Sequence, residues 1–284
     1  MLVLMLTDPL PPGLYIVATP IGNLSDLTAR AAATLRGADL ILAEDKRVTA
    51  KLLAHVEATA PMAVYHDHSS EAERDRILAR LGSEAVALVS DAGTPLISDP
   101  GYKLVRAARA AGHAVHTIPG ACAAIAALTL AGLPTDRFLF AGFLPAKAKA
   151  RGDAIAELGT IRASLVFYES GPRLGEALAA LANGLGARDG AVIREISKLH
   201  EETVTGTLAE LAARYADAPP KGEIVIVVGP PGEADAASDA ALDAALAEAL
   251  ETLTPSRAAA EVAAALNIPR KRAYARALAI GASG

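Results

Sequence analysis

The chain has 284 residues, with 27 Lys+Arg against 32 Asp+Glu and a formal charge of −5. Its 52% hydrophobic and 21% charged residues exclude a disordered chain and supply one large domain or two of ordinary size. With 6 Tyr, 4 Phe and no Trp, the core must be built from Ala, Leu, Val and Ile, and aromatic platforms for single-stranded nucleic acid have little material. The single cysteine, Cys122, excludes an internal disulfide and a thiolate-rich metal site. Mild acidity argues against bulk, sequence-blind nucleic-acid binding, although a local basic patch is averaged away in that sum.

The opening Met1 to Leu6 is apolar but lacks a basic flank and is interrupted by Asp8, Pro9, Pro11 and Pro12. It is too short for a signal peptide or a span, and no later run of about eighteen uncharged apolar residues follows, so a cytoplasmic protein with no membrane segment is expected. From residue 14 to about 140, short apolar runs (14–18, 39–43, 63–65, 85–89, 114–118, 138–140) alternate with amphipathic stretches (27–35, 48–56, 71–81, 102–110, 121–130). This is the rhythm of strands and helices in an α/β sheet. Ser25 and Asp26 read as caps of the first helix, and Ser70 with Glu73 as a capping box for the third. Continuous rather than alternating runs imply strands buried on both faces.

Residues 142–151, GFLPAKAKAR, break that rhythm and read as a hinge loop. A second α/β unit follows, with strands expected at 164–168, 191–196 and 224–228 and helices at 174–181 and 208–215. Thr203, Val204 and Thr205 suit a further strand, which implies mixed strand directions. The tail changes character again. An acidic helix is expected at 239–253, then a tight pair at 257–266 and 270–280 joined at Asn267-Ile268-Pro269, the layout of a helix-turn-helix. This pair carries Arg257, Arg270, Lys271, Arg272 and Arg276 against Glu261 alone, which makes it a candidate accessory grip on RNA. The expected divisions are 1–141, 142–232 and 233–284.

Three turns that directly follow apolar runs are rich in small and polar residues: 19–23, 90–101 and 119–123. In an open α/β sheet, ligands bind in the crevice beyond the carboxyl ends of the strands, so these loops are expected to line one cleft. Glycine and alanine there let a backbone approach a ligand closely. Neither G-x-G-x-x-G after the first strand nor a P-loop occurs, and no G-x-S-x-G elbow is present. His66 and His68 around Asp67 form an H-x-H without a helical partner, better read as a solvated loop than as a metal site. No metal is expected. His113, His116 and His200 read as packing or surface residues.

YIVATPIGNLSDLT (15–28), LAEDKRVTAKLL (42–53), VSDAGTPLISDPG (89–101), IPGACAAIAAL (118–128), FAGFLPAKAKAR (140–151), FYESGPRL (167–174) and REISKLHEE (194–202) together resemble the tetrapyrrole-methylase superfamily, in the branch that methylates ribosomal RNA. The resemblance, which runs from about residue 14 to 228, implies two α/β domains with S-adenosylmethionine in the cleft between them and a homodimer; the helical tail is a small C-terminal extension to these. It also implies methylation of a cytidine ribose 2′-hydroxyl in 16S ribosomal RNA of the small subunit. On this resemblance the cofactor wall comprises Pro20, Asp91, Ala92, Gly93, Thr94, Pro95, Ser98, Asp99, Ala121, Cys122, Ala123 and Tyr168. A carboxylate such as Asp91 or Asp99 suits the sulfonium cation. Lys46 departs from the family, which usually shows Thr there.

Methyl transfer is an in-line displacement, so positioning supplies much of the rate. A 2′-hydroxyl must also lose a proton, and Glu44, Asp45, Glu169, Lys198 and Glu201 are candidate bases, with Lys198, Glu169 and Asp45 foremost. A lysine in that role needs a depressed pKa. Arg47, Lys147, Lys149, Arg151 and Arg173 are the candidates for RNA phosphates. Two other readings remain open: a methylase acting on a tetrapyrrole, whose carboxylates would meet the basic loop, and a non-catalytic ribosome assembly factor that binds RNA and a nucleoside-type ligand.

Overall fold

The computed structural model describes residues 9–66, 69–232, 239–266 and 270–281. The apolar opening, the Asp67-His68 half of the H-x-H and the Asn267-Ile268-Pro269 turn lie outside the described residues. The chain divides into two compact units, 1–229 and 230–284.

The first unit holds two five-stranded sheets. One has the order β3-β2-β4-β1-β5, formed by β1 (Gly13–Val17), β2 (Leu40–Ala43), β3 (Met62–Val64), β4 (Ala85–Leu88) and β5 (Val115–Ile118). All its pairings are parallel. The crossovers are α1 (Ala29–Gly37), α2 (Lys46–His55), α3 (Glu71–Arg80) and α4 (Tyr102–Ala110). Helices cover both faces, so alternate residues of one strand enter two different cores. Tyr15, Val17, Ile41, Ala43, Ala85 and Ala87 pack on one side, and Leu14, Ile16, Leu40, Leu42, Val86 and Leu88 on the other. That is why the runs read as continuously apolar.

The second sheet has the order β6-β7-β10-β8-β9, formed by β6 (Phe138–Phe143), β7 (Ser164–Ser170), β8 (Asp189–Arg194), β9 (Glu202–Thr207) and β10 (Glu223–Val228). β6 and β7 run parallel and the other neighbours antiparallel, the mixed directions expected from sequence. Helix α5 (Ala123–Ala131) joins the halves, because its Ala124, Ala127 and Leu128 pack against Val166, Ile193 and Val225 of the second sheet. The far side of that sheet is covered by α6 (Ala148–Gly159), α7 (Gly171–Leu185) and α8 (Leu208–Tyr215).

Several local expectations are corrected. The run at 138–140 extends to Phe143 and belongs to the second sheet, so the expected boundary at 142 falls inside β6. The hinge shrinks to residues 144–147, and 148–151 open α6, an amphipathic helix whose Arg151 and Ile155 are buried. Ser25 and Asp26 sit in a 3-10 turn capped by Asn23, and Thr28 is the cap of α1, its side chain accepting from the Ala31 N–H. The Ser70–Glu73 capping box forms as expected.

The second unit contains α9 (Asp239–Leu250), α10 (Pro255–Ala265) and α11 (Arg270–Gly281). Leu242, Leu246, Ala259, Val262, Ala273 and Ala277 form its core. Arg276 makes a paired hydrogen bond to Asp243, at 2.5 and 2.7 Å, so the acidic and basic helices are tied. Among the described residues, no helix is long and apolar enough to cross a membrane.

Candidate functional site

The loops after β4, β1 and β5 emerge side by side, because those strands are neighbours and parallel. They are stitched into one surface. Thr19 N donates to Gly93 O at 2.8 Å and Gly93 N to Thr19 O at 3.1 Å. Thr19 Oγ1 lies 3.3 Å from the Ser90 and Gly93 carbonyls, and Thr94 Oγ1 donates to Ala121 O at 2.9 Å. Gly93 has φ +82°, and a Cβ there would lie 3.3 Å from Ile21 Cγ2. Leu96 and Ser98 also adopt left-handed conformations, φ 75° and 63°. Each such non-glycine residue costs about 1–3 kcal/mol, which persists where surrounding structure over-determines it, as at functional sites.

The facing wall comes from the second sheet. β7 presents Tyr168, Glu169 and Ser170, and the antiparallel β10 starts at the same edge with Gly222, Glu223 and Ile224. Tyr168 meets Phe140 and Phe143 edge-on, at ring separations of 4.8 and 5.7 Å, and its hydroxyl accepts from Ala124 N at 3.2 Å. The strap after β8 crosses to the first loop. Ser197 Oγ donates to Asp26, and the Lys198 stem packs so closely on Gly22 that a Cβ there would lie 2.5 Å from Lys198 Cγ. Glu195 and Ser197 in the strap are left-handed as well, φ 51° and 67°. Between the walls lies a cavity of about 300 Å³, floored by Ile21, Ile97, Ile196 and Val225. That size and its largely apolar lining with a few polar groups suit a small-molecule site.

Of the residues expected on a cofactor wall, Ala92, Gly93, Thr94, Ser98, Asp99, Cys122, Ala123 and Tyr168 line this cavity. Pro20, Asp91, Pro95 and Ala121 do not line it. Pro95 is buried, Ala121 receives the Thr94 hydroxyl, and Asp91 Oδ1 accepts from Asp45 N at 3.1 Å. The backbone of Gly93 and Thr94, the small Ala92 and Ala123, and the apolar floor form a cradle for a nucleoside-sized group.

The candidate bases fare differently. Burial opposes the Lys198 charge, but hydrogen bonds to Glu223 and Glu195, at 2.8 and 2.9 Å, outweigh it and raise the pKa. That is the opposite of what a lysine base needs, so this expectation is corrected. Asp45 caps α2. The Arg47 side chain and then the Arg47 backbone hydrogen-bond its carboxylate and lower its pKa to about 2, which makes it a poor proton acceptor, a second correction. Glu169 lines the cavity with its side chain 1% exposed, but Oε1 accepts from Ser170 N at 2.8 Å and Oε2 lies 3.2 Å from Arg173. Asp99 is the reverse case. Burial first, then the neighbouring Glu44 and Asp91 charges, push its pKa up to about 6, against an opposing hydrogen bond from Ser90.

The basic candidates also separate. Arg151 is 5% exposed, pairs with Glu176 and donates to the Ala146 carbonyl at 3.2 Å. Arg173 donates to Leu144 O at 2.6 Å while holding Glu169. Both brace the turn into α6, Arg151 from within and Arg173 partly exposed, so intramolecular partners occupy these guanidinium groups in place of the expected phosphate. Arg47 is exposed beside Asp45, and Lys147 and Lys149 are exposed at the start of α6. His116 stacks on Tyr15 at 4.7 Å. Among the described residues, no group of three His, Cys, Asp or Glu side chains could hold a metal ion.

Ile21 and Ile97 lie in loops expected to line the cleft, whereas sequence reasoning missed Phe143, Ser170, Ile196, Gly222, Glu223, Ile224 and Val225 of the lining. The Gly222-Glu223 edge was legible in principle: an antiparallel β10 must begin where β7 ends.

Comparison with known proteins agrees with this architecture. Residues 13–212 match the family of tetrapyrrole (corrin/porphyrin) methylases, and residues 236–281 match the RsmI C-terminal HTH domain. A protein of Erythrobacter litoralis named ribosomal RNA small subunit methyltransferase I is 57% identical over 95% of this chain and 96% of its own. A namesake from Xylella fastidiosa is 47% identical over 93% and 98%. Among solved structures, uroporphyrin-III-C-methyltransferase from Thermus thermophilus superposes with a TM-score of 0.55 at 22% identity, over 77% of this chain and 94% of that one. Diphthine synthase superposes with a TM-score of 0.60 at 16% identity, over 76% and 89%. These last two show the shared fold alone. The chain thus belongs to the tetrapyrrole (corrin/porphyrin) methylase family, with relatives of high identity along almost its whole length.

Proposed function

We propose that this protein is an S-adenosylmethionine-dependent methyltransferase that modifies the ribose 2′-hydroxyl of a cytidine in 16S ribosomal RNA, in the cytoplasm and as a homodimer. The observation that carries this reading is near full-length identity of 57% to a ribosomal RNA small subunit methyltransferase I, joined to a cleft of fitting size at the carboxyl ends of β1, β4 and β5. Bound S-adenosylmethionine supplies an electrophilic methyl group on a sulfonium. Gly93, Thr94, Cys122 and Ala123 would hold it through backbone groups, with Tyr168 closing the wall. The apolar floor excludes water, which strengthens any charge interaction inside. Holding acceptor oxygen and donor carbon in near-attack geometry contributes most of the acceleration.

RNA would approach over the exposed cations Arg47, Lys147 and Lys149, and over the second unit, where Arg257 and Lys271 are exposed. Each phosphate contact adds salt dependence through counterion release.

The test is methyl transfer from labelled S-adenosylmethionine to 30S subunits from a strain lacking this gene, with the product nucleoside identified by mass spectrometry. Labelled 2′-O-methylcytidine in 16S RNA is expected. Tight cofactor binding with no label in RNA overturns the reading; label in uroporphyrinogen then points to tetrapyrrole chemistry, and label in neither to a non-catalytic assembly factor.

A further inference from the structure

Methyl transfer to a ribose hydroxyl needs a group to take the proton of the attacking oxygen, and assigning that group rests on the proposed function. Three carboxylates line the cavity: Asp99, Glu169 and Glu223. Two already have cation partners. Glu169 is held by Arg173 and by both polar groups of Ser170, and Glu223 lies 2.8 Å from Lys198 Nζ. Either would have to leave its ion pair before it could meet a substrate hydroxyl.

Asp99 differs in having no cation partner: among the described residues no Lys, Arg or His pairs with it; the charges around it are Glu44 at the end of β2 and Asp91 in its own loop, both acidic, with the neutral Tyr168 on the facing wall. Its neighbour Ser98 is held left-handed at φ 63°, and Gly101 two residues on has φ +135° with space for no Cβ beside Leu88. The backbone on both sides of Asp99 is thus held in an uncommon conformation. We propose that Asp99 is the proton acceptor. As the oxygen–methyl bond forms and the methyl–sulfur bond breaks with its electron pair returning to sulfur, the hydroxyl proton passes to the Asp99 carboxylate, and later to solvent. The same burial and acidic neighbours that raise its pKa to about 6 keep it a better acceptor than an ordinary carboxylate while leaving it ionised at neutral pH.

The rival role for Asp99 is counter-ion to the sulfonium. Asp99→Asn separates the two, since it removes charge and basicity but little shape. Binding is measured by calorimetry with S-adenosylmethionine, a cation, and S-adenosylhomocysteine, which lacks the sulfonium charge; single-turnover transfer to 30S subunits is measured at saturating donor. Expected is a rate loss of about 10²- to 10⁴-fold, with both affinities within about threefold of wild type. Loss of affinity for the charged ligand alone, with the saturated rate kept, overturns the proposal, as does an unchanged rate. Should the variant fail to fold, the wild-type rate decides: it is expected to fall as pH drops below about 6, and a flat profile between pH 5 and 7 overturns the proposal. Wild-type protein that leaves 30S RNA unlabelled defeats the functional reading and this proposal together; labelled RNA with an equally active variant defeats only the proposal.

Discussion

The two walls of the cleft are built on opposite plans. The wall from the parallel sheet is mostly backbone: Thr19 and Gly93 exchange N–H···O bonds, the Thr94 hydroxyl donates to the Ala121 carbonyl, and among the described residues its cavity-lining carboxylate, Asp99, pairs with no cation. The wall from the mixed sheet is side chains, and each of its carboxylates is matched, Glu169 by Arg173 and Glu223 by Lys198. A charged residue in a motif therefore says little by itself; its partner decides whether it reacts or braces.

The largest effect that sharpens this contrast is expected from glycines. A Cβ on Gly171 would lie 1.7 Å from the Pro220 carbonyl oxygen, backbone against backbone, beneath the mixed-sheet wall. Gly171→Ala is expected to destabilise the protein by more than ~3 kcal/mol. Gly93→Ala, with its neighbour Ile21 Cγ2 at 3.3 Å and φ +82°, should cost only about 1–2 kcal/mol while reducing cofactor affinity. Denaturant titration and calorimetry on both variants check this, and equal stability losses would break the contrast.

The arginine and lysine pairings come next. Arg151→Ala removes a buried cation that holds the Ala146 carbonyl and Glu176, and a loss of about 2–4 kcal/mol is expected. Lys147→Ala with Lys149→Ala should leave the melting temperature unchanged and lower the salt slope of RNA binding by about 1 for each phosphate no longer neutralised. A stable Arg151→Ala protein with weakened RNA binding would return that residue to the interface.

Asp99 also has a signature in stability. Its pKa of about 6 in the folded chain exceeds the unfolded value near 3.9, so the unfolded state releases this proton first. Native stability is lowered progressively between about pH 4 and 6 and stays lowered above. Asp99→Asn is accordingly expected to be more stable than wild type at pH 7, by about 1–2 kcal/mol after allowing for partial exposure, with the gain vanishing below about pH 4. Thermal melts across that range measure it.

Most of the fold was legible because both sheets bury two faces: β1, β2, β4 and β10 announced themselves as unbroken apolar runs, and Ser70 with Glu73 marked α3. What was not legible depended on long-range pairing. Nothing local in residues 138–140 says that β6 joins β7 rather than the first sheet, and the Gly-Pro-Lys composition of 142–151 hid the start of α6. The loops of the site were visible as small residues after strands, whereas the partners of Lys198, Glu169, Arg151 and Arg173 lie in segments distant in sequence or one helical turn away, so sequence could not separate base from brace.

Lys198 gives the smallest and most discriminating test. Its ammonium joins Glu195 and Glu223, and its stem covers Gly22. Lys198→Met keeps the stem and removes the charge, leaving two carboxylates facing one another. A lysine base would make this variant lose more than about 10²-fold in rate. A brace predicts activity within about tenfold of wild type and a stability loss of ~1 kcal/mol or less, the scale of a partly exposed ion pair. Because the folded pKa of Lys198 is raised, its stabilising contribution is fully present below the unfolded value near 10.4 and fades as pH climbs through the folded one. The stability gap between wild type and variant should therefore hold from pH 6 to about 9 and close under alkaline conditions. A rate that collapses while this gap is absent would show that the mixed-sheet wall supplies the chemistry after all.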